Sequence, residues 1–219
     1  MYSYHTGGQA MLSYLLMELL CTTPVIFLTG IICYVVMRIF RHTAIGVHVF
    51  AVTLFSASLV LIFDITGLPS FYDMRWGDAG INLIPFVDFP QEIFQYGMNV
   101  ILFLPVGFFL PLLWKKFESF LRVFLTGLGM SLIIELLQLF TFRAADIDDL
   151  LMNTLGAAVG YLIWRLLQKA FPTFLTRFRS NGRRLWENLG WLICVAGCLL
   201  MNFFVIPLQY AFVYHLLRG

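Results

Sequence analysis

Residues 135–160 read E-L-L-Q-L-F-T-F-R-A-A-D-I-D-D-L-L-M-N-T-L-G-A-A-V-G, an acid-rich interruption between two apolar runs. Glu135 and Gln138 stand inside the run Phe120–Phe142, which is otherwise apolar enough for a membrane. Arg143, Asp146, Asp148 and Asp149 then fall within seven residues, and Asn153 enters the next apolar run. Desolvating an ionisable side chain in a bilayer is costly, so such residues mark functional sites by default.

The surrounding chain supplies the fold class. Of 219 residues, 60% are hydrophobic and 12% charged, and mean hydropathy is +0.86. Soluble domains carry roughly 25% charged residues, so the chain is read as all-α, a polytopic membrane helical bundle. A span needs about 20 mostly apolar residues. Six stretches qualify: Met11–Met37, Val47–Thr66, Gly97–Trp114, Phe120–Phe140, Leu150–Leu167 and Leu189–Leu208 or a little beyond. Pro24, Pro105 and Pro111 inside them are tolerated where neighbours satisfy the freed carbonyls.

Charge sets the expected orientation. Eleven of the 14 basic residues lie in alternate connections, from Arg38 and Arg41 through Lys115, Lys116 and Arg122 to Arg165, Lys169, Arg177, Arg179, Arg183 and Arg184. Only Arg75, Arg143 and Arg218 fall on the other side. The positive-inside rule therefore puts both termini, the loop 64–96 and the Asp-rich stretch outside. The linker Lys169–Arg184 reads first as an anchor against anionic inner-leaflet lipids. The loop 64–96, with Phe71, Tyr72, Trp76, Phe86 and Phe89 among prolines and glycines, reads as an interfacial aromatic belt or as a lid over a site.

Helical spacing sorts the polar residues. Ser131, Glu135 and Gln138 share one face. With a rise of about 1.5 Å per residue, Glu135 lies about 8 Å below the outer helix end. It reads either as a structural partner of Arg143 or Asn99, or as a ligand or general acid/base. Asp146, Asp149, Asn153, Gly156 and Gly160 share one stripe on the fifth span. Its lower half, G-x-x-x-G, lets another helix approach closely, so Gly156 and Gly160 are helix-packing residues. Asp146 also fits an N-cap and Asp149 the N3 position. Asn82 and Asn99 are expected at the same depth. Asn82, Asn99, Glu135, Gln138, Arg143, Asp146, Asp149 and Asn153 thus form one candidate outward-facing, ligand-binding pocket, in which Arg143 pairs with acids or binds phosphate bidentately.

Several chemistries are argued against. No nucleotide-binding loop, serine elbow or His/Cys metal-ligand cluster is present. His5, His42, His48 and His215 are scattered. Cys21, Cys33, Cys194 and Cys198 sit in apolar runs as small buried hydrophobes. No basic tract suited to nucleic acid is present, and Met1–Gln9 lacks the positive n-region of a signal peptide.

The segments I-N-L-I-P-F (81–86), N-V-I-L-F-L-P-V-G-F-F-L (99–110), I-E-L-L-Q (134–138) and D-I-D-D-L-L-M-N-T-L-G-A-A-V-G-Y (146–161) resemble the VanZ-like family in order and spacing over about residues 47–168. The family's recurrent positions map onto Asn82, Pro85, Phe86, Asn99, Pro105, Gly107, Glu135, Gln138, Asp146, Asp149, Asn153 and Gly156. The resemblance implies a multi-pass protein of a bacterial plasma membrane, with 47–168 as a four-helix core carrying the outer loop 64–96. Residues 1–46 then form an additional N-terminal span and cytoplasmic turn, and 169–219 a basic cytoplasmic linker and C-terminal span. The family is named for a teicoplanin-resistance protein. The implied role is low-level resistance to teicoplanin and related lipoglycopeptides, with membrane lipids and a lipid-linked cell-wall precursor or the antibiotic as partners and no cofactor. The alternative is an intramembrane enzyme acting on a lipid or sugar phosphate. There Glu135 and Asp149 act as acid and base, or hold a divalent cation by hard oxygen ligands.

Overall fold

The computed structural model describes residues 22–32, 35, 45–72, 74–75, 80–87, 89–141, 143–179 and 185–218. Helix α1 covers Thr22–Ile32; the rest of the expected first span, and so most of segment 1–46, lies outside the described residues. Helices α2 (Ile45–Ile65), α3 (Ile93–Leu113), α4 (Phe120–Gln138) and α5 (Ile147–Ala170) follow. A short turn α6 (Pro172–Leu175) leads to α7 (Leu185–Leu200), a π-helical stretch Met201–Val205 and α8 (Ile206–Arg218). Among the described residues, five helical segments are long and apolar enough to cross a membrane: Gly46–Ile65, Ile93–Leu113, Phe120–Gln138, Ile147–Ala170 and Leu189–Val213. The chain is an all-α membrane bundle. Among the described residues the one departure is a pair of two-residue parallel strands, β1 (Ile81–Asn82) and β2 (Ala145–Asp146).

Residues without side chains set the tightest contact. A methyl group added at Gly107 of α3 would run into the Ala157 carbonyl of α5. One added at Gly156 or Gly160 would run into the carbonyls of Val100 or Leu104 in α3. Backbone thus lies on backbone along α3 and α5, as small residues allow between membrane helices. Around this seam Phe55, Leu59, Phe63, Phe103, Leu110, Leu113 and Trp164 are fully buried. The Phe55 and Trp114 rings meet edge to face at 5.7 Å, a favoured aromatic geometry.

The two ends of the bundle differ in charge. At one end Arg122 donates to the Lys116 carbonyl at 2.8 Å, and Arg179 of the linker pairs with Glu118. The Lys116 ammonium lies over the Phe117 and Trp191 rings. Burial, and secondarily the charge on Arg122, lowers its pKa. The linker packs against this end through the buried Leu175 and a contact between His48 Nδ1 and the Phe178 carbonyl at 2.5 Å. At the other end stand the strands and the acidic start of α5.

Candidate functional site

The strands bring the site together. Pairing Ile81 with Ala145 and Asn82 with Asp146 draws the loop between α2 and α3 across the beginning of α5. Asp146 has extended backbone and is the N-cap of α5, its carboxylate accepting the Asp148 N–H at 2.9 Å. Capping is therefore part of its role, as a short acceptor at a helix start allows. The same carboxylate accepts from Asn82 Nδ2 at 3.2 and 3.3 Å, and Asn82 Oδ1 in turn accepts the Ile84 N–H.

Glu135 does not reach Arg143 or Asn99. Its Oε2 accepts the backbone N–H of Asp146 at 2.8 Å, which ties the middle of α4's polar face to the start of α5. One turn deeper, Asn153 Nδ2 donates to Ser131 Oγ at 3.0 Å. One turn higher, Gln138 Nε2 donates to the Thr66 carbonyl, just past the end of α2, at 2.7 Å. Asp149 turns the other way and accepts from Asn99 of α3 at 2.5 Å. The expected stripe on α5 is thus split: Asp149, Gly156 and Gly160 face α3, while Asn153 faces α4.

Arg143 pairs with no acid among the described residues. Its NH1 donates to the carbonyls of Ile65 and Thr66, at 3.3 and 3.0 Å, and so covers the C-terminal end of α2, where carbonyls lack helical partners. The guanidinium lies against Gly67, whose φ of 65° suits a residue without Cβ; a Cβ there would sit 2.9 Å from Arg143 Nε.

Sequence spacing passes over Asp148, which lies off the polar stripe. It is 3% exposed and accepts the Phe86 N–H at 3.0 Å and the Tyr96 hydroxyl at 2.8 Å. Phe86 holds φ at +58°, a left-handed conformation uncommon for a bulky residue, and its ring stands edge-on to Tyr96 at 5.8 Å. Asp148 therefore pins the loop over the site. The apolar side chains of that loop, Leu83, Ile84, Val87 and Phe89, remain more than half exposed.

Three buried oxygens close the inventory. Glu135 Oε1, Gln138 Oε1 and Asn153 Oδ1 accept no hydrogen bond, although their side chains are 6%, 3% and 2% exposed. Among the described residues no group of three or more His, Cys, Asp or Glu is placed to hold a metal ion. A separate hollow of about 290 Å³ opens between α2 and the π-helical segment with α8, its polar lining supplied by Asp64, Ser70, Tyr72, Asn202 and Tyr210. It contains none of the candidate residues named from the sequence.

Fold and site together define a polytopic α-helical membrane protein whose acidic end is crossed by the loop between α2 and α3. The VanZ/LLP1 family model matches residues 49–168, more than half of the chain, and the chain belongs to that family. Protein VanZ of Enterococcus faecium is 36% identical over 99 residues, which cover 43% of this chain and 58% of that protein. The match therefore spans less than two thirds of that relative. No solved structure matches.

Proposed function

We propose that the chain supports low-level resistance to teicoplanin and related lipoglycopeptides in a bacterial plasma membrane. Its acidic end faces outside and engages either the antibiotic or a lipid-linked envelope component. The observation that carries this reading is one juxtaposition. A buried polar lattice with unfilled acceptors lies beneath a loop whose apolar side chains are exposed. Such a site suits an amphiphile at headgroup depth, its polar head at the lattice and its acyl chain against the loop and helices. The relative's name points the same way, since the family is named for teicoplanin resistance. The basic residues at the opposite end support the orientation.

The test is expression in a teicoplanin-susceptible bacterium. The chain is expected to raise tolerance to teicoplanin and to leave tolerance to a glycopeptide without an acyl chain unchanged. Unaltered teicoplanin susceptibility, with the protein present in the membrane, rejects the proposal.

A further inference from the structure

The hollow beside the last span stands on a local departure from α-helix. Met201–Val205 is π-helical, the Ile206 N–H reaching back five residues to the Met201 carbonyl. Pro207 has no N–H, so the Phe203 carbonyl cannot make its α-helical bond. That carbonyl accepts instead from the Phe71 N–H at 3.4 Å, and the Phe71 ring lies 5.9 Å from that of Phe204. The chain leaving α2 is thereby fastened to the last span at the bulge. Such bulges occur frequently at functional sites. This one carries Asn202, which is 7% exposed and lines the hollow.

The hollow measures about 290 Å³, near the lower end of the roughly 300–1,000 Å³ of small-molecule sites. It suits a ring-sized group rather than a whole amphiphile. Its polar groups are mixed: Asp64 brings a carboxylate, Asn202 a carboxamide, and Ser70, Tyr72 and Tyr210 three hydroxyls. Together they can both donate and accept. Ser70 and Asn202 are buried while Tyr72 is 60% exposed, so the polar wall runs from the interior to the surface. No lysine, arginine or histidine is among the lining residues. Arg143 stands against Gly67, but its NH1 donates to the Ile65 and Thr66 carbonyls. A carboxylate with no lining cation disfavours a phosphate. One carboxylate among neutral groups is a poor ligand set for a divalent cation. A small ammonium group would use Asp64 and leave the amide and hydroxyls idle. A neutral ring with several hydroxyls uses them all, and its C–H faces can lie on Phe63 and the two tyrosines.

We infer that this hollow is a second site, separate from the acidic end, and that it takes one pyranose ring of a glycosylated amphiphile. Asp64 and Asn202 hydrogen-bond the ring's hydroxyls, and the aromatic lining receives its C–H faces. Two sources share this chemistry: a glycolipid headgroup and a sugar carried by a lipoglycopeptide. The inference goes beyond the resistance reading, which stands on the acidic end, and its failure leaves that reading intact.

The experiment uses the full chain in a polyoxyethylene detergent, which brings neither sugar nor ammonium. It reads the rise in Tm that a ligand of the folded state produces. The probes are the hexyl β-glycosides of glucose, galactose and N-acetylglucosamine, with hexyl tri(ethylene glycol) and hexyltrimethylammonium as chain-matched controls. At least one glycoside is expected to stabilise the wild type saturably, with both controls binding about tenfold more weakly or worse. Asn202→Leu and Tyr72→Ala are each expected to weaken that glycoside about tenfold. Displacement of the glycoside by teicoplanin assigns the sugar to the antibiotic, and lack of displacement assigns it to a glycolipid; either supports the inference. No response to any glycoside, or a control that binds as tightly, overturns it. Glycoside binding unchanged in both variants also overturns it, because the sugar then sits elsewhere. Tyr72 is exposed, so Tyr72→Ala decides the location even if Asn202→Leu does not fold.

Discussion

Glu135 Oε2 accepts the Asp146 backbone N–H at 2.8 Å, so a carboxylate within one span anchors the first residue of the cap that starts the next. A glutamine offers a carbonyl oxygen to the same N–H, whereas a leucine offers none. Glu135→Gln is expected to retain most of the stability. Glu135→Leu is expected to lose about 1–3 kcal/mol, the cost of an unsatisfied buried donor. Thermal unfolding in detergent distinguishes the two; equal losses would show that the hydrogen bond is unimportant.

The seam between α3 and α5 admits no added carbon. Alanine at Gly107, Gly156 or Gly160 forces backbone apart and is expected to cost about 1–3 kcal/mol, the range of overpacking. Gly97 has nothing within 4 Å of an added Cβ. Gly97→Ala is expected to be neutral or slightly stabilising, because alanine is the better helix former. Unfolding midpoints of the four variants check the contrast, and a Gly160→Ala protein as stable as Gly97→Ala would refute it.

Asp148 holds the loop between α2 and α3 through Phe86 and Tyr96. Tyr96→Phe removes one hydrogen bond to a buried carboxylate, worth about 1.5–3 kcal/mol, while keeping the ring beside Phe86. Faster amide exchange at Phe86 and its neighbours is the expected result, with the α3–α5 seam still protected. Exchange accelerated equally throughout the bundle would mean that Tyr96 supports the whole fold rather than the loop.

Orientation is open to a direct chemical test. Ile84 and Lys169 are exposed and lie at the acidic and basic ends. With both termini outside, as the basic residues predict, a membrane-impermeant maleimide labels Ile84→Cys in intact cells. Lys169→Cys then reacts only after permeabilisation. The opposite pattern would invert the protein and remove the outer-face site.

The membrane bundle was legible because each span holds a long apolar run, and composition alone identifies such a run. The expected spans Val47–Thr66 and Phe120–Phe140 lie close to the observed helices Ile45–Ile65 and Phe120–Gln138. Asp146 as an N-cap was legible for a local reason, since capping depends on the residue and the helix that follows it. Partner choice across the bundle was not. Asp148 lies off the polar stripe, and its partners Phe86 and Tyr96 are 62 and 52 residues away. Nothing in helical spacing predicts that the loop crosses over it. Arg143 illustrates the same limit: among acids it suggests an ion pair, yet the folded chain places the carbonyl end of α2 within its reach. The stripe on α5 was half right, because a helix packed on two sides divides neighbouring residues between two partners.

The central claim is that the acidic end carries the protein's activity toward lipoglycopeptides. It is tested most directly by teicoplanin susceptibility in one host strain carrying the wild type, Glu135→Gln or Asp149→Asn at matched membrane abundance. The wild type should raise the inhibitory concentration, and both variants should return it toward that of the empty host. Variants that protect as fully as the wild type while remaining folded would contradict the account.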